Sequence, residues 1–381
     1  MIYEIPDIRA QEEAALSRIE ELRRQLRFYV AEPRRWVGSL RRVLGARAIR
    51  GSNSIEGFNV SVEDALAAIE GEEPAEASDR DWLAVLGYRR AMTYVLQLAR
   101  DEYFEYTAAL IRSLHFMMTE HTLDAGPGLW RPGPIWVRND ATRETVYEGP
   151  ESEAVPGLID ELVCQLEESE ASHPMVRGAM AHLNLAMIHP FRDGNGRMAR
   201  CLQTLALARD RFLSPEWMSI EEYLGVNTQS YYDILAQVGK GKWQPEGDAR
   251  PWVRFCLRAH YIQALSVLRR VRESESIWVG IDELREAHGL PERAMTSLFD
   301  AAIGLRIRNA SYRKAVELSE LEPISNQVAT NDLKTMARAG LVVQHGAKRG
   351  TYYVAGKSLL DLRESIRGER QAIDASALFE V

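Results

Sequence analysis

Residues 189–200 of this chain read HPFRDGNGRMAR, and this stretch determines how the sequence around it folds. An apolar helical pattern ends near Ile188, and Pro190 stops the helix because proline has no amide hydrogen to donate. A second helical pattern begins near Asn195. The stretch is therefore predicted to be a loop that opens onto a helix N-terminus, where free backbone amides favour bound anions.

Two glycines and two arginines of this stretch suit a polyphosphate. Gly194 and Gly196 lack a Cβ, so a phosphate can approach the backbone closely. Arg197 and Arg200 are three residues apart and share a helix face, from which both can bind successive phosphates.

Two more side chains suit catalysis. Asp193 offers a hard oxygen ligand for a Mg²⁺ ion that bridges phosphates. His189, at the other lip of the loop, can take a proton from an incoming hydroxyl. Each feature alone is usually structural, but their combination in one 12-residue frame predicts a polyphosphate site with a base and a metal ligand.

The chain on both sides of this loop is predicted to be mainly helical. Ser61 and Gly71 have the positions of the N-terminal and C-terminal caps of one helix. Ser78 and Thr107 begin two further helices, and Pro174 begins the helix that leads into the loop.

The pattern of predicted secondary structure changes after residue 272. Residues 273–276 are polar and are predicted to be a linker. Helix, turn, helix and a two-stranded ribbon follow, which is the outline of a small winged helix-turn-helix domain, and the chain is expected to fray after about residue 367. The predicted domains are an N-terminal helical region at 1–100, a catalytic core at 101–272, a winged helix-turn-helix domain at 277–356 and a C-terminal tail at 357–381.

The composition excludes several classes of protein. A net charge of −8 does not favour nonspecific wrapping of nucleic acid. No apolar run reaches the roughly 18 residues of a membrane helix, and polar residues 1–13 do not resemble a secretory signal. Three isolated cysteines predict no disulfide framework and no zinc site, but small buried side chains in a reducing cytoplasm: Cys164, Cys201 and Cys256.

The 189–200 stretch resembles the signature of the Fic family, H-x-F-x-(D/E)-G-N-G-R-x-x-R, at every defined position. This resemblance implies a mainly α fold, with a Fic-type helical core and a β-hairpin flap. It also implies an enzyme, a protein adenylyltransferase that transfers AMP from ATP to a Ser, Thr or Tyr hydroxyl of a target protein. The related Doc branch, which phosphorylates, has lysine at the position of Gly196, so glycine here favours AMP transfer.

The resemblance also assigns roles to residues of the loop. It makes His189 the general base and Asp193 the ligand of Mg²⁺ on the α- and β-phosphates. The remaining phosphate contacts that it implies are Asn195 and the amides of Gly194 and Gly196 on the α-phosphate, Arg197 on the β-phosphate and Arg200 on the γ-phosphate.

Residues 51–57 read GSNSIEG and resemble the inhibitory pattern (S/T)-x-x-x-E-(G/N) of the family, matched by Ser52, Glu56 and Gly57. Ser52 and Glu56 are four residues apart and would share a helix face. The resemblance implies that Glu56 pairs with Arg200, takes the partner of the γ-phosphate and so inhibits the enzyme.

Residues 128–150 are punctuated by glycine and proline and predict a β-hairpin. The resemblance implies that this hairpin is a flap that pairs with an extended segment of the target, with Val137 against the nucleotide. Tyr231 and Tyr232 resemble a tyrosine pair of the family, one of which borders the adenine. This chain has Gln237 in the region where relatives have an asparagine, which leaves the nucleoside contact there open.

Two alternatives remain open at this point. The same residues could remove AMP from a modified protein, with Glu56 aligning a water. The chain could instead be a DNA-binding regulator with a nucleotide-sensing core. The residues that would read bases are Ser325, Asn326, Gln327 and Asn331, and those that would meet phosphates are Lys334, Arg338, Lys348 and Arg349. Self-modification and a homodimer are also expected, and a membrane partner is not.

Overall fold

The computed structural model describes residues 1–74, 76–138, 144–168, 172–319, 322–368 and 370–381, without the side chain of Arg349. Within these ranges the chain is mainly helical, as predicted, with two antiparallel hairpins. The helices are α1 (Ala10–Ala31), α2 (Val37–Ile55), α3 (Val62–Glu70), α4 (Asp79–Leu98), α5 (Ala108–Thr119), α6 (Val155–Glu168), α7 (Pro174–Ile188), α8 (Asn195–Ala208), α9 (Glu221–Val226), α10 (Thr228–Gly239), α11 (Arg250–Ala287), α12 (Met295–Ile303), α13 (Asn309–Leu318), α14 (Asn326–Arg338) and α15 (Lys357–Arg367). The strands are β1 (Trp136–Arg138), β2 (Thr145–Glu148), β3 (Val342–His345) and β4 (Tyr352–Ala355).

The chain divides into two compact units. The first comprises Met1–Arg24, Gly45–Ala264 and Asp374–Val381, and the second comprises Gln25–Leu44 and Leu265–Ile373. These bounds differ from the boundaries predicted near residues 100 and 272, because packing rather than chain order decides which segments group together.

The core of the first unit is the pair α7 and α8, which pack against each other and are buried along almost their whole length. Helix α6 packs on α7, and α4 packs on both α5 and α8. A helix buried on all sides needs apolar or fully bonded residues throughout, which accounts for the nearly continuous apolar sequence of α7. The loop between these two central helices carries the residues of the predicted site.

The predicted helix caps are confirmed. The Ser61 side chain accepts from the backbone amide of Asp64, and Gly71 has a left-handed conformation with φ 74°. Ser78 and Thr107 cap α4 and α5 in the same way. These caps were predictable because each depends only on residues within one turn.

The predicted hairpin at 128–150 forms from β1 and β2, with Trp136 opposite Glu148 and Val137 opposite Tyr147. Residues 139–143 of this hairpin lie outside the described residues. The other edge of β2 is bonded to the chain at 241–243, since the Glu148 amide donates to the Gly241 carbonyl at 2.9 Å.

In the second unit the linker predicted at 273–276 is wrong, because α11 continues without a break from Arg250 to Ala287. The buried stripe of this helix passes from Val271 through Ser274 to Ile277. Glu275 and Ser276 are exposed, whereas the side chain of Glu273 is 11% exposed and binds Arg370 at 2.6 Å. The run of polar residues therefore resembled a linker in the sequence although it belongs to a helix.

The end of the second unit consists of α12, α13, α14, the β3–β4 hairpin and α15. The three helices α12 to α14 and the hairpin that follows them have the order expected of a winged helix-turn-helix, and that assignment stays a prediction. Residues 357–367, predicted to be tail, instead form α15, which packs on α12 and β4 and buries Leu359 completely. The predicted phosphate contact of Arg349 falls on a side chain outside the described residues.

The expectation of a frayed C-terminus is also wrong. Leu378 is buried, and Arg18 of α1 donates to the backbone carbonyls of Ala377 and Glu380. Of the three cysteines expected to be buried, Cys164 is exposed. Over the described part of the chain, no helix combines the length and the apolar character that crossing a membrane requires.

Candidate active site

His189 ends α7 in a left-handed conformation, with φ 51°, that few residues other than glycine adopt. Its Nδ1 lies 3.1 Å from the carbonyl oxygen of Ala186. Because a carbonyl can only accept, Nδ1 carries the proton and Nε2 holds the free lone pair. This tautomer is the one that a general base needs.

The electrostatic surroundings keep His189 neutral. Burial is the main cause that lowers its pKa, and the positive charge of Arg131 lowers the pKa further. The carbonyl of Ala186 and the carboxylates of Glu56 and Asp193 act in the opposite direction without reversing the shift. A histidine with a lowered pKa can accept a proton over the whole range near neutral pH.

The shape of the loop depends on two residues of the motif. The Asn195 side chain binds the backbone of Phe191 twice, accepting from its amide and donating to its carbonyl, each at 2.9 Å. Gly194 has φ 76° and a Cβ there would lie 3.0 Å from the Thr119 side chain. Asn195 therefore closes the loop on itself, and the contact of its side chain with the α-phosphate stays a prediction.

His115, which no motif of the sequence includes, binds the loop to the hairpin. Its Nε2 is 2.8 Å from the carbonyl oxygen of Asp193, and its Nδ1 accepts from the Gly128 amide at 2.9 Å. Its ring stacks on Phe191 with centroids 3.6 Å apart. Burial lowers the pKa of His115 to about 4, so the ring is neutral and can bridge a donor and an acceptor. No sequence pattern pointed to this histidine, because both its partners are backbone groups, 13 and 78 residues away in the chain.

Arg197 lies in the first turn of α8 and is almost fully buried. Among the described residues its Nε and Nη1 atoms have no hydrogen-bond partner, and its Nη2 lies 4.0 Å from the Asp193 carboxylate. The ring of Phe58 lies 4.7 Å from its guanidinium carbon. Burial lowers the pKa of Arg197, which reflects the cost of a buried cation without a close counter-ion. Such a group is suited to bind an anion.

Arg200 is one helical turn further along α8 and is bonded to the residues predicted from the sequence. Its Nε donates to the Ser52 hydroxyl at 2.7 Å, and its Nη2 donates to the Ser52 carbonyl at 2.9 Å and to the Glu56 carboxylate at 2.7 Å. Burial is the largest single influence and opposes the charge on Arg200, but the carboxylate of Glu56 together with Tyr231 and Tyr88 raises the pKa of Arg200 above its ordinary value. The structure therefore has the ion pair of Glu56 with Arg200 that the resemblance implied.

Gly57 explains how Glu56 reaches this position. Helix α2 ends with the Phe58 amide bonded to the Asn53 carbonyl and the Gly57 amide bonded to the Ser54 carbonyl. Gly57 itself is left-handed, with φ 79°. This is the Schellman pattern of helix termination, in which glycine is favoured at the left-handed position. The termination places Glu56 at the C-cap and turns Phe58 back toward α8.

Gly196 makes room for the same carboxylate. A Cβ at this position would lie 2.2 Å from Glu56 Oε1 and 3.1 Å from Arg200 Nη1. A residue with a side chain at 196 is therefore incompatible with the observed pair of Glu56 and Arg200.

The predicted nucleoside contacts occupy different environments. Tyr231 is buried and donates to His182 Nε2 at 2.9 Å, while its ring lies 6.0 Å from the Arg200 guanidinium carbon. Tyr232 is 45% exposed and donates to the Ile55 carbonyl at 3.1 Å, next to Glu56. Val137 is partly exposed on β1. Contact of these three residues with a nucleoside stays a prediction.

Asp193 is the one carboxylate of the loop and its side chain is 61% exposed. Its Oδ1 accepts from the Gly194 amide at 2.7 Å. In the described ranges no group of three or more His, Cys, Asp and Glu residues is arranged to hold a metal by itself. Mg²⁺ commonly binds through one or two carboxylates and the phosphates of its substrate, so a single exposed aspartate fits this ion.

A left-handed histidine, the N-terminus of α8 and two buried arginines of α8 thus lie together, a geometry suited to phosphoryl or nucleotidyl chemistry. Residues 105–207 match the family model described as Fic/DOC family. The chain therefore contains a Fic/DOC family domain, and the resemblance noted in the 189–200 stretch is confirmed.

Curated relatives support this class. The chain is 27% identical over 217 residues to the protein adenylyltransferase Fic of Nematostella vectensis, an alignment that covers 54% of this chain and 45% of the relative. It is 30% identical over 195 residues to the protein of the same name from Drosophila virilis, with 51% and 36% covered. The chain spans less than half the length of these two relatives.

Solved structures share the fold. A Fic family protein from Desulfovibrio desulfuricans G20 matches with a TM-score of 0.57 and 22% identity, over 93% of this chain and 99% of that one. A Fic domain containing signalling protein from Bacteroides thetaiotaomicron matches with a TM-score of 0.54 and 21% identity, over 69% of this chain and 97% of that one. The mainly α, Fic-type fold predicted from the sequence is confirmed.

Proposed function

We propose that this protein is an adenylyltransferase that moves AMP from ATP to a Ser, Thr or Tyr hydroxyl of a target protein, and that Glu56 holds it inactive. The observation that carries the proposal is the pair of buried guanidinium groups in the first turns of α8. Among the described residues, Nε and Nη1 of Arg197 have no hydrogen-bond partner, and Arg200 is bonded to Glu56. The names of the curated relatives support the same activity.

In the proposed reaction His189 Nε2 takes the proton of the target hydroxyl. The hydroxyl oxygen then attacks the α-phosphorus of ATP, the bond from the α-phosphorus to the bridging oxygen breaks, and pyrophosphate leaves with its electron pair. Arg197 and Arg200 hold the β- and γ-phosphates, and the Gly196 amide faces the α-phosphate. The Gly194 amide, which was predicted to do the same, donates to Asp193 Oδ1 at 2.7 Å.

Asp193 would hold Mg²⁺. When bound, the ion would neutralise charge on the phosphates during the transfer. The arrangement of Asp193 depends on His115, whose ring binds the Asp193 carbonyl, so this residue fixes the backbone from which the carboxylate extends.

The hairpin provides a place for the target. Within the described residues, β1 pairs with β2 on one edge and with no strand on the other. An extended segment of the target can add to this outer edge by backbone hydrogen bonds and so bring its hydroxyl to His189.

Glu56→Gly tests the proposal, because it frees the Arg200 guanidinium for the γ-phosphate. With labelled ATP the variant should bind nucleotide about 10-fold more tightly or better, as expected for a charged hydrogen bond, and should label itself or proteins in a lysate. His189→Ala in the same background should bind ATP equally and label nothing. Failure of Glu56→Gly either to bind ATP or to label any protein would refute the proposal.

Removal of AMP is a second reaction that the same site could perform, because Glu56 could align a water while it remains bonded to Arg200. Incubation of the unchanged protein with its own AMP-modified form, prepared with Glu56→Gly, tests this direction. Release of AMP by the unchanged protein, and not by His189→Ala, would support it.

One observation favours DNA binding by the second unit. Four polar residues of α14 lie along one exposed stripe at helical spacing: Gln327, Asn331, Lys334 and Arg338. A mobility shift of duplex DNA by the full chain, weakened by salt and by Lys334→Glu, would support this function, and it should be unchanged in His189→Ala.

A homodimer and a cytoplasmic location also stay predictions, to be tested by light scattering and by localisation of the tagged protein.

A further inference from the structure

Arg131 lies at the base of the flap hairpin (residues 128–150), and its side chain is almost fully buried. Its guanidinium is bonded to three backbone carbonyls. Nε donates to His189 at 2.9 Å, Nη1 donates to Gly133 at 2.6 Å, and Nη2 donates to Pro150. Burial of a guanidinium costs free energy, which hydrogen bonds to three neutral carbonyls offset only in part.

The three carbonyls belong to different parts of the site. Gly133 precedes β1, Pro150 follows β2, and His189 ends α7. One side chain thus binds both ends of the flap hairpin to the backbone of the proposed base. The Arg131 amide adds a fourth bond, to the Pro190 carbonyl at 2.9 Å.

The conformation of His189 makes these bonds consequential. A residue other than glycine in the left-handed region is strained and persists only where its surroundings hold it. Two bonds from Arg131 hold the two peptide units that follow His189, one through the His189 carbonyl and one through the Pro190 carbonyl. They oppose rotation of these peptide units and so preserve the direction of the imidazole.

We propose that Arg131 is a positioning residue for AMP transfer, because it joins the flap hairpin that would align the target to the histidine that would deprotonate it. This inference rests on the proposed function. Loss of Arg131 should leave ATP binding intact, since the phosphate-binding arginines belong to α8, but should misalign the hydroxyl and the base.

The charge of Arg131 provides a second, independent test of its role, through its effect on the pKa of His189. Four groups act on His189 from the elements around it: the Ala186 carbonyl, Glu56 and Asp193 raise the pKa of His189, and Arg131 lowers it. Removal of the Arg131 charge should therefore raise the pKa of His189. Since the base must be neutral, the acidic limb of the pH–rate profile should move to higher pH.

The test uses the full chain with Glu56→Gly, so that ATP can bind, and compares Arg131→Gln with Arg131→Lys. Both should keep the affinity for a fluorescent ATP analogue within about twofold, and both should lower the rate of AMP incorporation at saturating ATP by about 100-fold, the scale of a 1 Å misplacement. The acidic limb should move only in Arg131→Gln, because lysine keeps the charge.

Arg112→Gln is the matched control, since Arg112 donates to the Gly128 carbonyl at 2.7 Å and covers Trp130 at the same hairpin. It should retain most of the rate and leave the limb in place. Equal rates in Arg131→Gln and Arg112→Gln, or a parallel loss of ATP affinity and rate, would overturn the inference. If Glu56→Gly alone labels nothing, the proposed function fails instead. Melting temperatures of all variants identify any that lose the fold, and Arg131→Lys then carries the comparison.

Discussion

The ring of Phe58 lies 4.7 Å from the guanidinium carbon of Arg197, two residues beyond the carboxylate that binds Arg200. The end of α2 therefore covers both arginines of the proposed phosphate site, one with an aromatic face and one with a charge. The family pattern names the glutamate, whereas the aromatic contact becomes visible only in the structure.

Phe58→Ala should release the enzyme in part. It uncovers Arg197 but leaves Arg200 paired, so ATP should bind more tightly by a few-fold, which corresponds to a cation–π contact of about 1 kcal/mol. The gain should be smaller than that of Glu56→Gly. Phe58→Leu keeps most of the apolar cover and should lie between the unchanged protein and Phe58→Ala. Titration with a fluorescent ATP analogue measures all three, and an unchanged affinity in Phe58→Ala would show that the ring does not restrain Arg197.

Gly57→Ala should weaken inhibition through the backbone. Gly57 is left-handed, so alanine costs about 1 kcal/mol there and loosens the end of α2 that carries Glu56. Gly71→Ala is a matched control, because Gly71 has φ 74° at the end of α3 and, like Gly57, has nothing within 4 Å of an added Cβ. Both variants should lose similar stability in urea, yet only Gly57→Ala should increase labelling. Equal labelling by the two would contradict the mechanism.

The close contact between α2 and α9 gives another prediction. A Cβ at Gly51 would lie 2.4 Å from the Glu221 carbonyl oxygen, so α2 and α9 meet at backbone distance. Gly51→Ala should destabilise the protein by about 1–3 kcal/mol, as overpacking does, and should also raise labelling because it displaces the helix that carries Glu56. Gly87→Ala creates a similar clash, 2.6 Å from the Met118 carbonyl, between α4 and α5. It should cost comparable stability without activating the enzyme, and activation by both would show that general loosening is sufficient.

Acid should destabilise the fold through His115. Burial lowers its pKa to about 4 from an ordinary value of 6.5, so the unfolded state binds more protons between these values. The stability that neutral His115 contributes is complete above pH 6.5 and is lost as the pH falls toward 4. His115→Gln retains an amide that can donate to the Asp193 carbonyl and does not titrate. Urea unfolding at pH 7 and pH 4.5 measures how much the free energy of unfolding falls between these two pH values. This fall should be smaller by about 2 kcal/mol in His115→Gln than in the unchanged protein. Equal losses in the two proteins would exclude His115 as the source.

The parts of the fold that were predictable are those determined within a few residues. The caps at Ser61, Gly71, Ser78 and Thr107 depend on one side chain and one turn of backbone. The linker predicted at 273–276 is wrong because it was inferred from local polarity alone. Local polarity does not show that the opposite face of a helix is buried.

The candidate site divides in a similar way. The 189–200 stretch contains a loop, a base, an aspartate and two arginines in one short frame, and it predicted a polyphosphate site without any knowledge of the fold. His115, Arg131 and Phe58 were missed because they act on carbonyls, an amide and a guanidinium that are distant in sequence. The backbone partners of His115 and Arg131 leave no trace in the sequence of side chains, and the contact of Phe58 with Arg197 joins residues 139 positions apart.

The sequence by itself determined the chemistry, since residue types and their spacing decide which groups can bind phosphate, hold a metal or take a proton. The resemblance of residues 51–57 also implied the pair of Glu56 with Arg200, but only the tertiary structure decided that Phe58 covers Arg197 and that His189 is held in a left-handed conformation by Arg131. The physical reason is that charge, burial and strain depend on distances through space, which the order of residues along a chain does not specify.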